Sequence, residues 1–389
     1  MIPYGRQHLD EEDIQAVVDV LKSGALTQGP MVDAFEEKIR SYVGAKYAVA
    51  MASGTAALHL AAIVADVGPG TALVTSPITF VASSNAALYT GGKPLFADID
   101  PETVNMSPES LHDTLRKNRN VRAVVPVHFA GLPCDMPAIK SAADEAGATV
   151  IEDAAHALGA TYADGTRVGN CKYSAMTMFS FHPVKAIAAG EGGMITTNDE
   201  KIYRRLLRLR SHGINKLDDP FEISEQGEQD GQRNPWYYEM QELGFHYRIT
   251  DIQCGLAVAQ FRRLEKFLAR RRKLVQVYDE EFAGLKNCRP AQKGRDRSGH
   301  HIYVLRIDFK RAGTTRAKLM RELRARDIMT QVHYIPVPAH PLYRKLGLKP
   351  EDYPHAQKYY EEALTIPLFF DLTDEQQKYV IASVKELVR

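Results

Sequence analysis

One lysine, Lys185, sits among small and apolar residues in the stretch Phe179–Gly193, FSFHPVKAIAAGEGG, with Gly190, Gly192 and Gly193 close behind it. An amine in such company is poorly solvated, and desolvation lowers a lysine's pKa by disfavouring its charged form. A neutral amine is the nucleophile that Schiff-base chemistry with a carbonyl requires. A loop lysine standing alone keeps its head in water, so the chemical reading of Lys185 depends on partners elsewhere in the chain.

Those partners exist, and together they would hold a phosphorylated aromatic aldehyde. Ser53-Gly54-Thr55 precedes a helical pattern. Backbone N–H groups and the helix dipole favour a phosphate there, although the same tripeptide also serves as a simple N-cap. Asp153 ends an apolar run in IEDAAHALG. A carboxylate at that place either keeps a ring nitrogen protonated or caps the next helix. Phe80, in SPITFVAS, is placed to stack on a flat ring or to pack in the core. Ser180 can add a hydroxyl to the phosphate, and His156 can reach a phenolic oxygen or pack.

The elements that must position these residues alternate. Asp10 is a natural N-cap for a first helix closed by Gly24, with Ile14, Val17, Val18 and Leu21 as its apolar stripe. A second amphipathic helix carries Val32, Phe35, Ile39 and Val43. From Tyr47 to Thr197 short apolar runs alternate with helical patterns, which predicts a mostly parallel α/β sheet. SGT, Phe80, Asp153 and Ser180–Lys185 fall at or just after strand ends, where such sheets collect ligands. A long helical pattern over 250–282 is expected to bridge this unit (1–249) to a smaller α+β unit (283–389). In that unit Thr330–Tyr334 reads as a strand and His355–Leu364 as a helix. The polar segment Asn215–Gln241 reads as a surface loop that covers a neighbouring active site.

Bulk composition narrows the function classes. The 389 residues carry a formal net charge of +1, so no general affinity for polyanions follows. The run Arg270-Arg271-Arg272-Lys273 lies on a helical pattern and reads as a solvated face, so no nucleic acid is expected. Cys134, Cys171, Cys254 and Cys288 form no CxxC pair, which argues against a zinc site or a disulfide framework, and no metal is expected. The acidic start MIPYGRQHLDEED is unlike a signal peptide, and the most apolar window, Tyr47–Val67, is broken by polar residues. A cytoplasmic protein without a membrane span is the expectation.

The motifs SGTAAL, TFVAS, EDAAHALG, FSFHPVKAIAAGEGG, RSHG and GFHYRITDIQ stand in a specific order along essentially the whole chain. In that order they resemble the sugar aminotransferases of the DegT/DnrJ/EryC1/StrS family. LTQG, PWYY, and QVHYIPV followed by YRKLG are most similar to the branch acting in pseudaminic acid biosynthesis. The resemblance implies the aspartate-aminotransferase-like α/β fold (fold type I), a homodimer with shared active sites, and pyridoxal 5′-phosphate (PLP). It implies that Lys185 binds the cofactor covalently, Asp153 faces the ring nitrogen and Phe80 stacks on the ring. Gly54, Thr55 and Ser180 would hold the phosphate, with His156 near the phenolic oxygen.

Tyr4 and the loop Ala25, Leu26 and Thr27 match positions that contact a nucleotide-sugar in similar enzymes, as do Gln331, Val332, His333 and Tyr334. Arg248 is a candidate for the amino donor's carboxylate by its charge, a structural ion pair being the alternative. The implied reaction moves an amino group from L-glutamate to C4 of a UDP-linked 4-keto-6-deoxy-N-acetylhexosamine, with another keto-sugar or a keto-cyclitol as the alternative. One departure stands out: the family's GYNYR motif has an asparagine where this chain has His246. The asparagine reaches the partner subunit's phosphate. A protonated His246 in that role would make cofactor affinity fall as pH rises and the ring deprotonates.

Two other classes remain to be weighed. A Rossmann oxidoreductase would need GxGxxG after the first strand, which MASGTAAL does not supply. A non-catalytic binding module would have no need of Lys185. The intact lysine also argues against the sugar dehydratases on this scaffold, which carry histidine in its place.

Overall fold

The computed structural model describes residues 1–216 and 220–388. Helix α1 (Glu11–Ser23) begins with a reciprocal cap, as its sequence predicts. Asp10 Oδ1 accepts the N–H groups of Glu12 and Asp13 at 3.0 and 3.2 Å, and Asp13 Oδ2 accepts the N–H of Asp10 at 3.1 Å. Gly24, at φ 81°, closes the helix in a conformation that a side chain would strain. Helix α2 (Pro30–Val43) has only Gly29 at its N-cap and borrows a carboxylate from elsewhere. Asp251 accepts the N–H groups of Gly29, Met31 and Val32 at 2.9, 3.3 and 3.2 Å.

The chain then alternates through β1 (Tyr47–Met51), α3 (Gly54–Val64), β2 (Ala72–Thr75), α4 (Ala82–Tyr89), β3 (Lys93–Phe96) and α5 (Pro108–Lys117). It continues with β4 (Val121–Val125), α6 (Met136–Glu145), β5 (Thr149–Asp153), β6 (Met176–Ser180), β7 (Gly193–Thr197) and α7 (Glu200–Arg210). The strands form one sheet in the order β1-β7-β6-β5-β4-β2-β3. Pairs from β3 through to β6 are parallel, and β7 runs antiparallel to both β1 and β6. The cause is local. No helix separates β6 from β7, so the loop that carries Lys185 turns the chain straight back and pairs Ser180 with Gly193.

Both faces of the sheet are covered. Ala48, Ala50, Val150 and Phe179 pack with Phe35 and Ile39 of α2. Val49, Met51, Ile151 and Met178 pack with α3, α4 and α7. The two-residue period of a strand therefore places Asp153 on the α3–α4 face, with Ile151, and Glu152 on the opposite one.

The segment expected as a polar surface loop carries short elements among its described residues, and its Leu217, Asp218 and Asp219 lie outside the described residues. β8 (Ile214–Asn215) pairs with β11 (Glu239–Met240), and between them lie α8 (Ser224–Gly227) and the hairpin β9 (Glu228–Gln229) and β10 (Gln232–Arg233). Glu239 is the knot, accepting the N–H groups of Glu222 and Ile223 at 2.7 and 2.8 Å. Two-residue strands leave no periodicity to read.

The expected single bridging helix is two, α9 (Asp251–Phe261) and α10 (Leu264–Phe282). The break falls at Arg262–Arg263, where Arg263 turns back to pair with both Asp10 and Asp13 at the start of α1. Beyond it a three-stranded antiparallel sheet, β12 (Cys288–Pro290), β13 (Tyr303–Ile307) and β14 (Ala363–Ile366), packs on α10, α11 (Arg316–Ala325) and α14 (Asp374–Leu387) through Tyr278, Phe282, Leu323 and Val384. Helices α12 (Pro341–Lys345) and α13 (Pro354–Glu362) complete the chain.

The helix expected near His355–Leu364 is α13, which ends at Glu362, and β14 starts at Ala363. One expectation fails here. Thr330–Tyr334 is not a strand: only Gln331 makes a bridge, with Thr365. Pro336 and Pro338, which have no N–H to give, follow immediately.

Candidate active site

A cleft of about 770 Å³ opens at the carboxyl ends of β1, β2, β5 and β6. Its floor brings Gly54, Thr55, Phe80, Asp153, His156, Ser180 and Lys185 together. Tyr4, Gln331, Val332, His333 and Tyr334 form its rim.

Each position has a local cause. Ser53 caps α3 by accepting the N–H of Ala56 at 3.1 Å, which leaves the first N–H groups of the helix turned towards the cleft. A Cβ on Gly54 would stand 3.1 Å from Cβ of Ser180, so glycine is what lets β1 and β6 bring backbone and hydroxyl this close. Gly193 is required for the same reason, since its Cβ would lie 2.3 Å from the Ser53 carbonyl oxygen. The result is a cradle of backbone N–H groups beside a serine hydroxyl at a helix start.

Lys185 is half-buried in the loop between β6 and β7, with its backbone N–H bonded to the His182 carbonyl at 2.8 Å. Among the described residues its amine makes no hydrogen bond or ion pair. Burial pulls its pKa down to about 8, partly opposed by the charge of Asp153. For Asp153 burial pushes the carboxyl up, against the Ser83 hydroxyl, the Ala155 N–H and the charge of Lys185.

His156 is buried, and burial together with the charge of Lys185 holds its imidazole well below the ordinary range, so the ring is neutral. It stacks on His301 with centroids 4.3 Å apart, and Nε2 lies 3.3 Å from the Tyr334 hydroxyl. Nδ1 is buried without a partner. Phe80 is 59% exposed although it lines the cleft, with its ring centroid 6.5 Å from that of Tyr334 and tilted to it.

A phosphorylated pyridine aldehyde fits this set of groups: an anion cradle, an exposed ring face, a carboxylate, an unpartnered imidazole nitrogen and a free amine. The fit rests on the orphaned His156 nitrogen and on the space that Gly54 leaves.

Five expected residues lie outside the cleft: Ala25, Leu26, Thr27, His246 and Arg248. The two segments that carry them are tied together, Gln28 Nε2 donating to the Ile249 carbonyl at 2.8 Å and Asp251 holding Gly29. Arg248 Nη2 lies 3.0 Å from Nε2 of His246. A guanidinium only donates, so Nε2 accepts and His246 presents Nδ1–H as a neutral ring.

Sequence reasoning missed Thr79, Ser83, Glu191, His301 and His340, all of which line the cleft. Thr79 and Ser83 flank Phe80 at a spacing of four, a signal that gains meaning only once Asp153 is known to lie beside them.

Residues 7–385 match the DegT/DnrJ/EryC1/StrS aminotransferase family. The spore coat polysaccharide biosynthesis protein SpsC of Bacillus subtilis is 38% identical, over 100% of this chain and 97% of that protein. The putative sugar aminotransferase Spr1654 of Streptococcus pneumoniae, solved in its PMP form, superposes with a TM-score of 0.89 at 29% identity, covering 100% of this chain and 99% of that one. Helicobacter pylori PseC, an aminotransferase involved in pseudoaminic acid biosynthesis, superposes with a TM-score of 0.89 at 27% identity over the same shares. The fold, with its single antiparallel strand in an otherwise parallel sheet, is therefore that of the fold type I aminotransferases. The chain belongs to the DegT/DnrJ/EryC1/StrS aminotransferase family.

Proposed function

We propose that the protein is a PLP-dependent sugar aminotransferase that moves an amino group from L-glutamate to C4 of a UDP-linked 4-keto-6-deoxy-N-acetylhexosamine. The observation that carries this reading is Lys185, an unpartnered amine with a pKa of about 8, sharing one cleft with Asp153 and the Ser180–Gly54 cradle. PLP is the cofactor, as in the PLP-form neighbour structure of Spr1654. Bound here, it supplies a carbonyl for amine exchange and a ring that withdraws electrons from the adjacent carbon.

The chain's own residues supply the rest. Backbone N–H groups at the start of α3, with Thr55 and Ser180, bind the phosphate. Asp153 holds a proton on the ring nitrogen, Phe80 covers the ring face, and His156 faces the phenolic oxygen. Nζ of Lys185 would hold the cofactor, and the same neutral amine would take and return the proton at the reacting carbon. Depression of its pKa towards the working range serves both tasks.

Among the described residues that line the cleft, Lys185 is the one lysine or arginine. A cofactor phosphate, the donor's carboxylates and a nucleotide diphosphate need more positive charge than that. A homodimer in which a second copy delivers His246, Arg248 and the Ala25–Thr27 loop supplies it. The tie between those two segments supports their arrival as one unit. In such a dimer the Asn215–Gln241 segment would cover the neighbouring site.

The test is a panel of 4-keto UDP-sugars with L-glutamate as donor, followed by 2-oxoglutarate release. Turnover of the 4-keto-6-deoxy-N-acetylhexosamine above other keto-sugars is expected. Turnover confined to a keto-cyclitol or to a 3-keto-sugar would overturn the substrate assignment.

A further inference from the structure

The carboxylate of Asp153 is held by more than its own strand. Oδ1 accepts the N–H of Ala155 at 3.1 Å, and Oδ2 accepts the hydroxyl of Ser83, on α4, at 2.7 Å. Oγ of Ser83 in turn lies 2.8 Å from Oγ1 of Thr79. Thr79, Ser83 and Asp153 are 2%, 1% and 5% exposed, so bulk water does not compete for these bonds.

The direction of the chain follows from proton counting. Ser83 has one hydroxyl proton, and the carboxylate takes it, so Thr79 must be the donor to Ser83. The result is a polarised relay, Thr79 to Ser83 to Asp153, in a low-dielectric setting that strengthens each bond. A donor to a charged acceptor favours the charged form of that acceptor.

We propose that Ser83 and Thr79 are positioning residues of the reaction, a hydroxyl relay that keeps buried Asp153 ionised and its carboxylate plane fixed against the ring nitrogen of PLP. Burial works the other way, pushing that carboxyl towards its neutral form, which could not hold a proton on the ring. Ser83 stands in the first turn of α4, on the face that carries Asp153, and Thr79 lies in the turn just before that helix. The proposal rests on reading Asp153 as the ring-nitrogen partner.

The test loads wild type, Ser83→Ala, Ser83→Thr, Thr79→Val and Asp153→Asn with PLP labelled with 15N in the ring, and follows the ring-nitrogen shift against pH. In Ser83→Ala the ring should lose its proton at a pH lower than in wild type by about one unit. Thr79→Val should move it the same way by less, and Ser83→Thr should restore it. A purely structural role would lower the melting temperature and leave the titration in place.

If Ser83→Ala titrates like wild type while Asp153→Asn does not, the relay is overturned and the role of Asp153 stands. If Asp153→Asn also titrates like wild type, or wild type takes up no PLP, the underlying reading falls with it. Should Ser83→Ala not fold, Thr79→Val decides: an unshifted titration overturns the relay.

Discussion

Nε2 of His128 lies 2.8 Å from Oε2 of Glu152, both side chains fully buried, and the pair is a neutral imidazole on a carboxylate. The reason is on the other side of the ring. Nδ1 of His128 accepts the backbone N–H of Cys134 at 3.1 Å, so it carries no proton. Glu152 also accepts the hydroxyls of Tyr162, of Ser174 at 2.6 Å and of Thr177 at 3.0 Å. Burial alone would raise its carboxyl, but His128, with the hydroxyls of Ser174 and Tyr162, holds it below the usual range. An anion with this many donors anchors the strand that carries Asp153 on its next residue.

Glu152→Ala should therefore destabilise the fold by about 3–5 kcal/mol, because it leaves buried donors facing nothing. Chemical denaturation measures this directly. A loss below about 1 kcal/mol would show that the network is not an anchor.

The amine of Lys185 should cost the apoprotein stability in a pH-dependent way. Its folded pKa, about 8, lies below the unfolded value of 10.5, so between those values the unfolded chain binds more protons and stability rises with pH. Below about pH 8 the cost is present in full. Lys185→Met should raise apoprotein stability at neutral pH by an amount on the order of 2 kcal/mol, and the gap should close as pH climbs to 10.5. A gap that does not vary with pH would contradict the burial of a charge here.

If His246 takes the place of the family's asparagine, its Nε2 is already engaged by Arg248 and Nδ1–H is the group left to donate, as an amide N–H would. PLP affinity of His246→Asn should stay within about threefold of wild type, less than one hydrogen bond, with the same dependence on pH. Equilibrium dialysis at several pH values checks this. An affinity that falls with rising pH in wild type alone would restore the protonated histidine.

Asp251 accepts three N–H groups at the start of α2 and fixes the loop before it. Asp251→Ala should cost about 1–3 kcal/mol through its orphaned donors. If the Ala25–Thr27 loop touches the sugar nucleotide, the variant should also raise the sugar's KM while kcat changes little. An unchanged KM in a folded variant would remove that loop from the site.

Much of this was legible in the sequence where one short stretch carries its own signal. Asp10 and Gly24 bracket α1, Ser53-Gly54-Thr55 marks a helix start, and the apolar run ending at Asp153 marks a strand end. What stayed hidden depends on distant partners. The break between α9 and α10 comes from Asp10 and Asp13, some 250 residues away in the chain. Thr330–Tyr334 looked like a strand because alternation does not reveal that only Gln331 finds a pairing partner, Thr365. Ser83 and His301 carry no signal of their own in the sequence, because their meaning lies in Asp153 and His156, which the fold brings to them.

In the proposed reaction Lys185 is the residue that binds PLP. Borohydride reduction of the holoenzyme, followed by digestion and mass spectrometry, should place the reduced cofactor on the peptide containing Lys185. The Lys185→Ala protein should lack the visible absorbance of the wild type. A label on another lysine, or a colourless wild type that takes up no PLP, would contradict the assignment of this cleft as the active site.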